Sequence, residues 1–114
     1  MRENNFLENL KSSKYCTPGE VHVCRSYLTS RARNLEFITV SDVVWEASIN
    51  SVIDALRATK EEFFVWHNDF SGQTVVLYSF LKAGFEIVGT HREEYSAGGF
   101  APNEVIRGLK IRIG

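Results

Sequence analysis

The chain has 114 residues, of which 44% are hydrophobic and 24% charged. That length suits one domain with a core of its own, and the charged fraction argues against disorder. Thirteen basic side chains face 14 acidic ones, a net charge of −1; this lacks the basic excess through which nucleic-acid binders neutralise phosphates, so weak binding to free duplex DNA is expected. The longest apolar run, around Val75 to Leu77, is far too short to cross a membrane. Met1 is followed by Arg2, Glu3, Asn4 and Asn5, so no secretory signal is expected. A cytoplasmic protein with its two cysteines reduced, acting as a monomer, is the expectation.

Phe6, Leu7 and Leu10 suggest a short amphipathic helix at the N-terminus. The strongest local signal follows. In Thr17-Pro18-Gly19-Glu20, Thr17 can cap a helix, Pro18 suits its first position and Glu20 can reach back to the cap. Cys16 stands where a hydrophobic staple would touch Val21. Val21, Cys24, Leu28, Ala32 and Leu35 then recur at three- and four-residue spacing, which predicts one apolar helix face ending near Asn34. Arg25, Arg31 and Arg33 on the same helix are the nearest approach to a basic patch, and they read most simply as a solvated face.

Phe37 to Val40 predicts a short buried strand. Ser41 and Asp42 can cap a helix whose inner face is Trp45, Ile49, Val52, Ile53 and Leu56. Phe63 to Trp66 is a second apolar run and a second strand. His67, Asn68 and Asp69 close it, and Ser71 can cap a helix that runs to Lys82, with Gly84 at the left-handed position that ends helices. Phe85 to Tyr95 predicts a third strand, and residues 96–103 a loop. In the last strand Val105, Arg107, Leu109, Ile111 and Ile113 share one face, while Ile106, Lys110 and Arg112 share the other.

The predicted order is α-α-β-α-β-α-β-β in a single α/β domain over 1–114. Residues 1–35 form a helical part and 36–114 the part that forms the sheet. Strand–helix–strand units imply parallel pairing for the first three strands. The expectation is a small, mostly parallel sheet with a C-terminal antiparallel hairpin and helices packed on it.

Ligands of open α/β sheets bind beyond the carboxyl ends of the strands. Here that places Ser41 and Asp42 after the first strand, and His67, Asn68, Asp69, Ser71 and Gly72 after the second. His67 beside Asp69 and a Ser-Gly helix start could form an anion pocket or supply a general base, against the plainer reading of a turn with a capping serine. The chain holds no P-loop and no nucleophile elbow, and no catalytic residue is assigned.

Its soft metal ligands are Cys16, Cys24, His22, His67 and His91. Cys16 and Cys24 bracket the first two turns of the second helix, and His67 ends a strand, so these three are the candidate ligands of one structural zinc, with Asp69 or a water as the fourth. His22 points about 200° away from Cys24 on an ideal helix and is the poorer choice. Packing roles for both cysteines stand as the alternative.

Two resemblances add to this. From Phe63 to Ile113, the strand FFVWHND, the helix SGQTVVLYSFLKAGFEIVGT and the strands after it resemble the C-terminal half of an acetyl-CoA-dependent N-acetyltransferase, with Tyr78, Gly84 and Phe85 at matching places. The chain departs from that pattern where the superfamily's glycine-rich pyrophosphate loop should fall. SDVVWEA, from Ser41 to Ala47, has no glycine, which predicts that acetyl-CoA does not bind. Over nearly the whole chain, YCTPGE, CRSYLTSRARNLEFITV, VWEASI and FVWHNDFSGQTVVLYSFLKAGF resemble a family of small α/β proteins of Gram-positive bacteria, their phages and mobile elements. That setting implies an accessory protein that binds and inhibits a host protein without catalysis. Its most specific form is an anti-CRISPR inhibitor of a type II effector nuclease, some of which contain zinc. The alternative is a degenerate acetyltransferase-like domain that binds a small ligand or keeps weak transferase activity.

Overall fold

The computed structural model describes residues 17–41, 46–67 and 73–114. The expected N-terminal helix, the staple at Cys16, the inward Trp45 and the loop from Asn68 to Gly72 lie outside them. Among the described residues, three helices and four strands follow one another in an α/β fold: α1 (Pro18–Ala32), β1 (Ile38–Val40), α2 (Glu46–Ala58), β2 (Phe63–Trp66), α3 (Gln73–Lys82), β3 (Glu86–Tyr95) and β4 (Glu104–Arg112).

Helix α1 starts as its sequence dictates. The Glu20 amide donates to Thr17 Oγ1 at 3.2 Å and the Thr17 amide donates to Glu20 Oε1 at 2.9 Å, so two of the donors orphaned at a helix start are satisfied reciprocally. The helix stops at Arg33, and Asn34 turns the chain with φ +56°, a conformation that asparagine tolerates better than most residues. Helix α3 ends before Gly84 at φ +98°, where a Cβ would be strained.

The apolar face expected on α1 is displaced. Val21 and Leu28 are 39% and 50% exposed, whereas Val23 and Tyr27 are buried together with Gly19 and Ser30. The cause is the crossing with α2. A Cβ on Gly19 would lie 2.2 Å from the Ser51 carbonyl carbon, so only glycine lets the two backbones approach this closely. The Gly19 amide donates to Ser51 Oγ at 3.0 Å across the crossing. Fixing Gly19 inward places residues 23, 27 and 30 inward as well, because they fall within about 80° of it at 100° per residue.

The sheet order is β1-β2-β4-β3. Strand β1 pairs with β2 in parallel, Ile38 opposite Phe64 and Val40 opposite Trp66, whereas β2–β4 and β4–β3 are antiparallel. The expected hairpin of the last two strands is present. The expectation of a mostly parallel sheet is corrected, since one of three ladders is parallel. Strands β1, β2 and β3 do run in the same direction, but β4 folds back between β2 and β3 and separates them. Gly108 makes room for this: a Cβ there would stand 2.4 Å from the Trp66 carbonyl oxygen.

Helices α2 and α3 cover one face of the sheet. Ile49, Val52, Ile53 and Leu56 of α2 and Val76 and Phe80 of α3 pack on Ile38, Val40, Phe64, Trp66 and Ile111. Phe80 stacks on Phe85 at 5.6 Å and meets Phe64 and Trp66 edge to face; such pairs contribute roughly 0.5–1.5 kcal/mol each beyond the area they bury. On the opposite face Leu35, Val65 and Ile106 form a small second cluster, and Lys110 lies over the rings of Phe37 and Phe63 at 4.8 and 4.3 Å. These distances are from its ammonium nitrogen to the ring centres, a cation–π contact with both rings.

Candidate functional site

Three sectors of α1 have different surroundings. Gly19, Val23, Tyr27 and Ser30 are buried, and Val21 and Leu28 face solvent. Between them runs a polar stripe of His22, Arg25, Ser26, Thr29 and Arg33, spaced at three and four residues, which lines one wall of a hollow of about 280 Å³. Thr39, Ser41 and His67 form the other wall. These residues belong to the carboxyl ends of the two parallel strands, the place where open α/β sheets bind ligands. A second hollow of about 460 Å³ continues past them, lined by Arg33, His67, Tyr95, Glu104, Ile106 and Arg107 among others. Arg33 and His67 border both, so the two hollows make one groove.

Short-range contacts hold these side chains in place. The His67 amide donates to the Val40 carbonyl at 3.1 Å, which extends the parallel ladder by one bond and anchors His67 at the groove. Ser30 and Thr39 share a buried hydroxyl contact at 3.2 Å, and the Thr39 amide donates to Ser30 Oγ at 3.1 Å; together they tie α1 to β1 beneath the stripe. The Arg33 guanidinium lies 4.4 Å from the centre of the Tyr95 ring, a cation–π contact that orders a long side chain at small cost in entropy. Tyr95 faces Glu104 across the β3–β4 ladder and donates its hydroxyl hydrogen to Glu104 Oε2. That hydrogen bond holds the Tyr95 phenol above its ordinary pKa. Desolvation and the Glu104 charge act in the same direction, and the Arg33 charge opposes them.

Among the described residues the groove is therefore cationic, with Arg25, Arg33 and Arg107 against Glu104. Among the described residues neither Arg25 nor Arg33 has a carboxylate within ion-pair distance. Guanidinium groups, hydroxyls and imidazoles facing one another suit the binding of an anion through charge-assisted hydrogen bonds.

Of the residues singled out in the sequence, Ser41 and His67 lie in the groove, and Asp42, Asn68, Asp69, Ser71 and Gly72 lie outside the described residues. Arg25 and Arg33, read as part of a solvated face, are exposed as that reading expects and also border the groove. Their spacing with His22, Ser26 and Thr29 was the signal available beforehand. Cys24 packs partly buried against the main core, whereas His67 shares the groove with His22. Cys16 lies outside the described residues, and among these no three His, Cys, Asp or Glu side chains cluster closely enough to hold a metal ion. Tyr78, Gly84 and Phe85 occupy the helix, the left-handed cap and the position before β3. Tyr78 is 63% exposed and Lys82 reaches over its ring at 5.9 Å. No helix among the described residues is long and apolar enough to cross a membrane.

Fold and groove define a small α/β domain with a cationic cleft at the carboxyl ends of its parallel strands. The chain belongs to the family described as Domain of unknown function (DUF7698), which it matches over residues 22–113. Every groove residue lies inside that span, as do Cys24 and His67, and Cys16 lies before it. No curated protein and no solved structure matches the chain.

Proposed function

We propose that this domain is a non-enzymatic, cytoplasmic binding protein that engages an anionic part of a host protein in the Arg25–Arg33 groove and thereby inhibits it. The observation that carries this is the polar stripe of α1 set against the carboxyl ends of β1 and β2. A run of guanidinium and hydroxyl groups about 16 Å long, from His22 to Arg33 at 1.5 Å per residue, is built for recognition along a line. The sequence resemblance supplies the most specific partner, a type II CRISPR effector nuclease, with the gene carried by a phage or mobile element. One structural zinc on Cys16, Cys24 and His67 belongs to the same proposal and would tie α1 to the end of β2.

The test is target-DNA cleavage by a panel of purified type II effectors with this protein in excess. At least one effector is expected to be blocked stoichiometrically, with no chemical change in either protein. The Arg25→Glu/Arg33→Glu double variant, at an unchanged melting temperature, is expected to relieve the block. Unimpeded cleavage across the panel would refute the effector as partner, and a block indifferent to the double variant would refute the groove as the binding site.

A further inference from the structure

Resting on the reading above of a protein-binding inhibitor, we infer that the tip of the β3–β4 hairpin makes a second contact with the same host protein, in which Phe100 enters an apolar pocket of that partner. Among the large hydrophobic residues described, Phe100 is the most open. It is 110% exposed, as free as in an extended peptide, and Tyr78 follows at 63%.

The hairpin holds the ring out. Strand β2 pairs with Leu109 to Arg112 alone, so β4 from Glu104 to Gly108 has only β3 beside it in the sheet. Five residues at about 3.3 Å each carry the pair about 16 Å past the end of β2. At the tip Gly98 and Gly99 take φ +88° and +58°, and the Ala101 amide donates to the Gly98 carbonyl at 3.3 Å. Glycine makes such a turn accessible. The turn closes around Phe100, which is thereby presented in place and has less freedom to lose on binding.

Two features select what receives the ring. Residues 96–103 carry no charged side chain, so the tip can enter an apolar pocket without desolvating a charge. The last stem pair before the tip, Tyr95 opposite Glu104, also lines the groove, so a protein seated in the groove already adjoins the tip. A lipid surface suits it less. The charged residues that border the tip in sequence are Glu94 and Glu104, and carboxylates are repelled by the anionic leaflet that basic side chains seek. A single ring between acidic neighbours fits a protein pocket, where aromatic anchors carry much of the energy of an interface.

The first measurement needs no partner. β-Cyclodextrin, whose cavity admits a benzyl side chain, is titrated into the full chain and followed by NMR at the Phe100 ring signals. Shifts are expected there; unmoved signals would show that the ring is closed to an apolar cavity and would overturn the inference. An effector blocked in the cleavage panel is then bound to the parent, Phe100→Ala and Phe100→Leu, and the dissociation constants are read by surface plasmon resonance. Phe100→Ala is expected to melt with the parent, because the ring is fully exposed, and to bind about 30-fold more weakly. Phe100→Leu, which keeps an apolar side chain, is expected to lose less. Equal affinity of Phe100→Ala and the parent would overturn the tip as an anchor and leave the groove reading standing. A panel with no effector blocked rejects the effector as partner and this inference with it. Vesicles of phosphatidylcholine and phosphatidylserine are expected not to bind; vesicle binding by the parent that Phe100→Ala loses would assign the tip to a membrane and overturn the protein pocket.

Discussion

Replacing Gly19 by alanine tests the helix crossing on which the whole groove depends. A Cβ at this position would lie 2.2 Å from the Ser51 carbonyl carbon, 2.3 Å from its oxygen and 2.4 Å from the Val52 nitrogen. All three are backbone atoms, so no rotamer change relieves the clash. Restoring ordinary contact at about 3.4 Å requires α1 and α2 to separate by about 1.2 Å, a shift typical of overpacked cores, which lose roughly 1–3 kcal/mol. The same shift stretches the 3.0 Å bond from the Gly19 amide to Ser51 Oγ, worth roughly 0.5–1.5 kcal/mol. Alanine returns up to about 1 kcal/mol through its higher helix propensity. The net expectation is a loss centred on about 2 kcal/mol, within a range of about 0.5–4.5 kcal/mol, or about 8 °C in melting temperature at roughly 4 °C per kcal/mol for a chain of this length. Urea and thermal unfolding followed by circular dichroism measure it. Gly89→Ala is the control, since a Cβ on Gly89 meets no atom within 4 Å, and it is expected to leave stability unchanged or raise it by up to about 1 kcal/mol. A Gly19→Ala protein as stable as the parent would show that the two helices do not cross at this distance.

Ser30→Ala removes the buried partner of both the Thr39 hydroxyl and the Thr39 amide; leaving those groups unsatisfied is expected to cost about 1–3 kcal/mol in urea unfolding, with Thr39→Val in the same background adding little. Glu104→Gln replaces the carboxylate whose hydrogen bond, and to a smaller extent whose charge, raises the Tyr95 pKa, so the phenolate absorbance of Tyr95 is expected to appear at lower pH than in the parent, and an unchanged titration would refute the Tyr95–Glu104 bond. Because the folded-state pKa of Tyr95 is raised, its contribution to stability is present below the unfolded value near 10 and is lost as pH rises through the folded one; the parent should therefore lose stability above pH 10 more steeply than Glu104→Gln. For zinc, elemental analysis of protein purified without a histidine tag is expected to find close to one zinc per chain and a melting temperature lowered by chelator. Stoichiometry near zero would assign Cys24 to packing alone.

The features legible in the sequence are those whose cause lies within about four residues. The capping box of Thr17 and Glu20, the left-handed stop at Gly84, and the inward face Ile49, Val52, Ile53 and Leu56 are local, and a one-dimensional reading finds them because helical hydrogen bonds and faces repeat every three or four positions. Strand β2 from Phe63 to Trp66 is equally plain, since it is short, apolar and flanked by polar residues. Two decisions waited for the tertiary structure. The insertion of β4 between β2 and β3 depends on pairing across more than 40 residues and on the space left by Gly108 at the Trp66 carbonyl, and a strand's own pattern does not say which neighbour it will have. The orientation of α1 depends on Gly19 meeting Ser51. That contact turns Val23 and Tyr27 inward in place of Val21 and Leu28, and the same rotation sets the exposed Arg25 and Arg33 beside the ends of the parallel strands. Sequence determined that this segment is a helix with a polar stripe; the close approach of two backbones decided what the stripe faces.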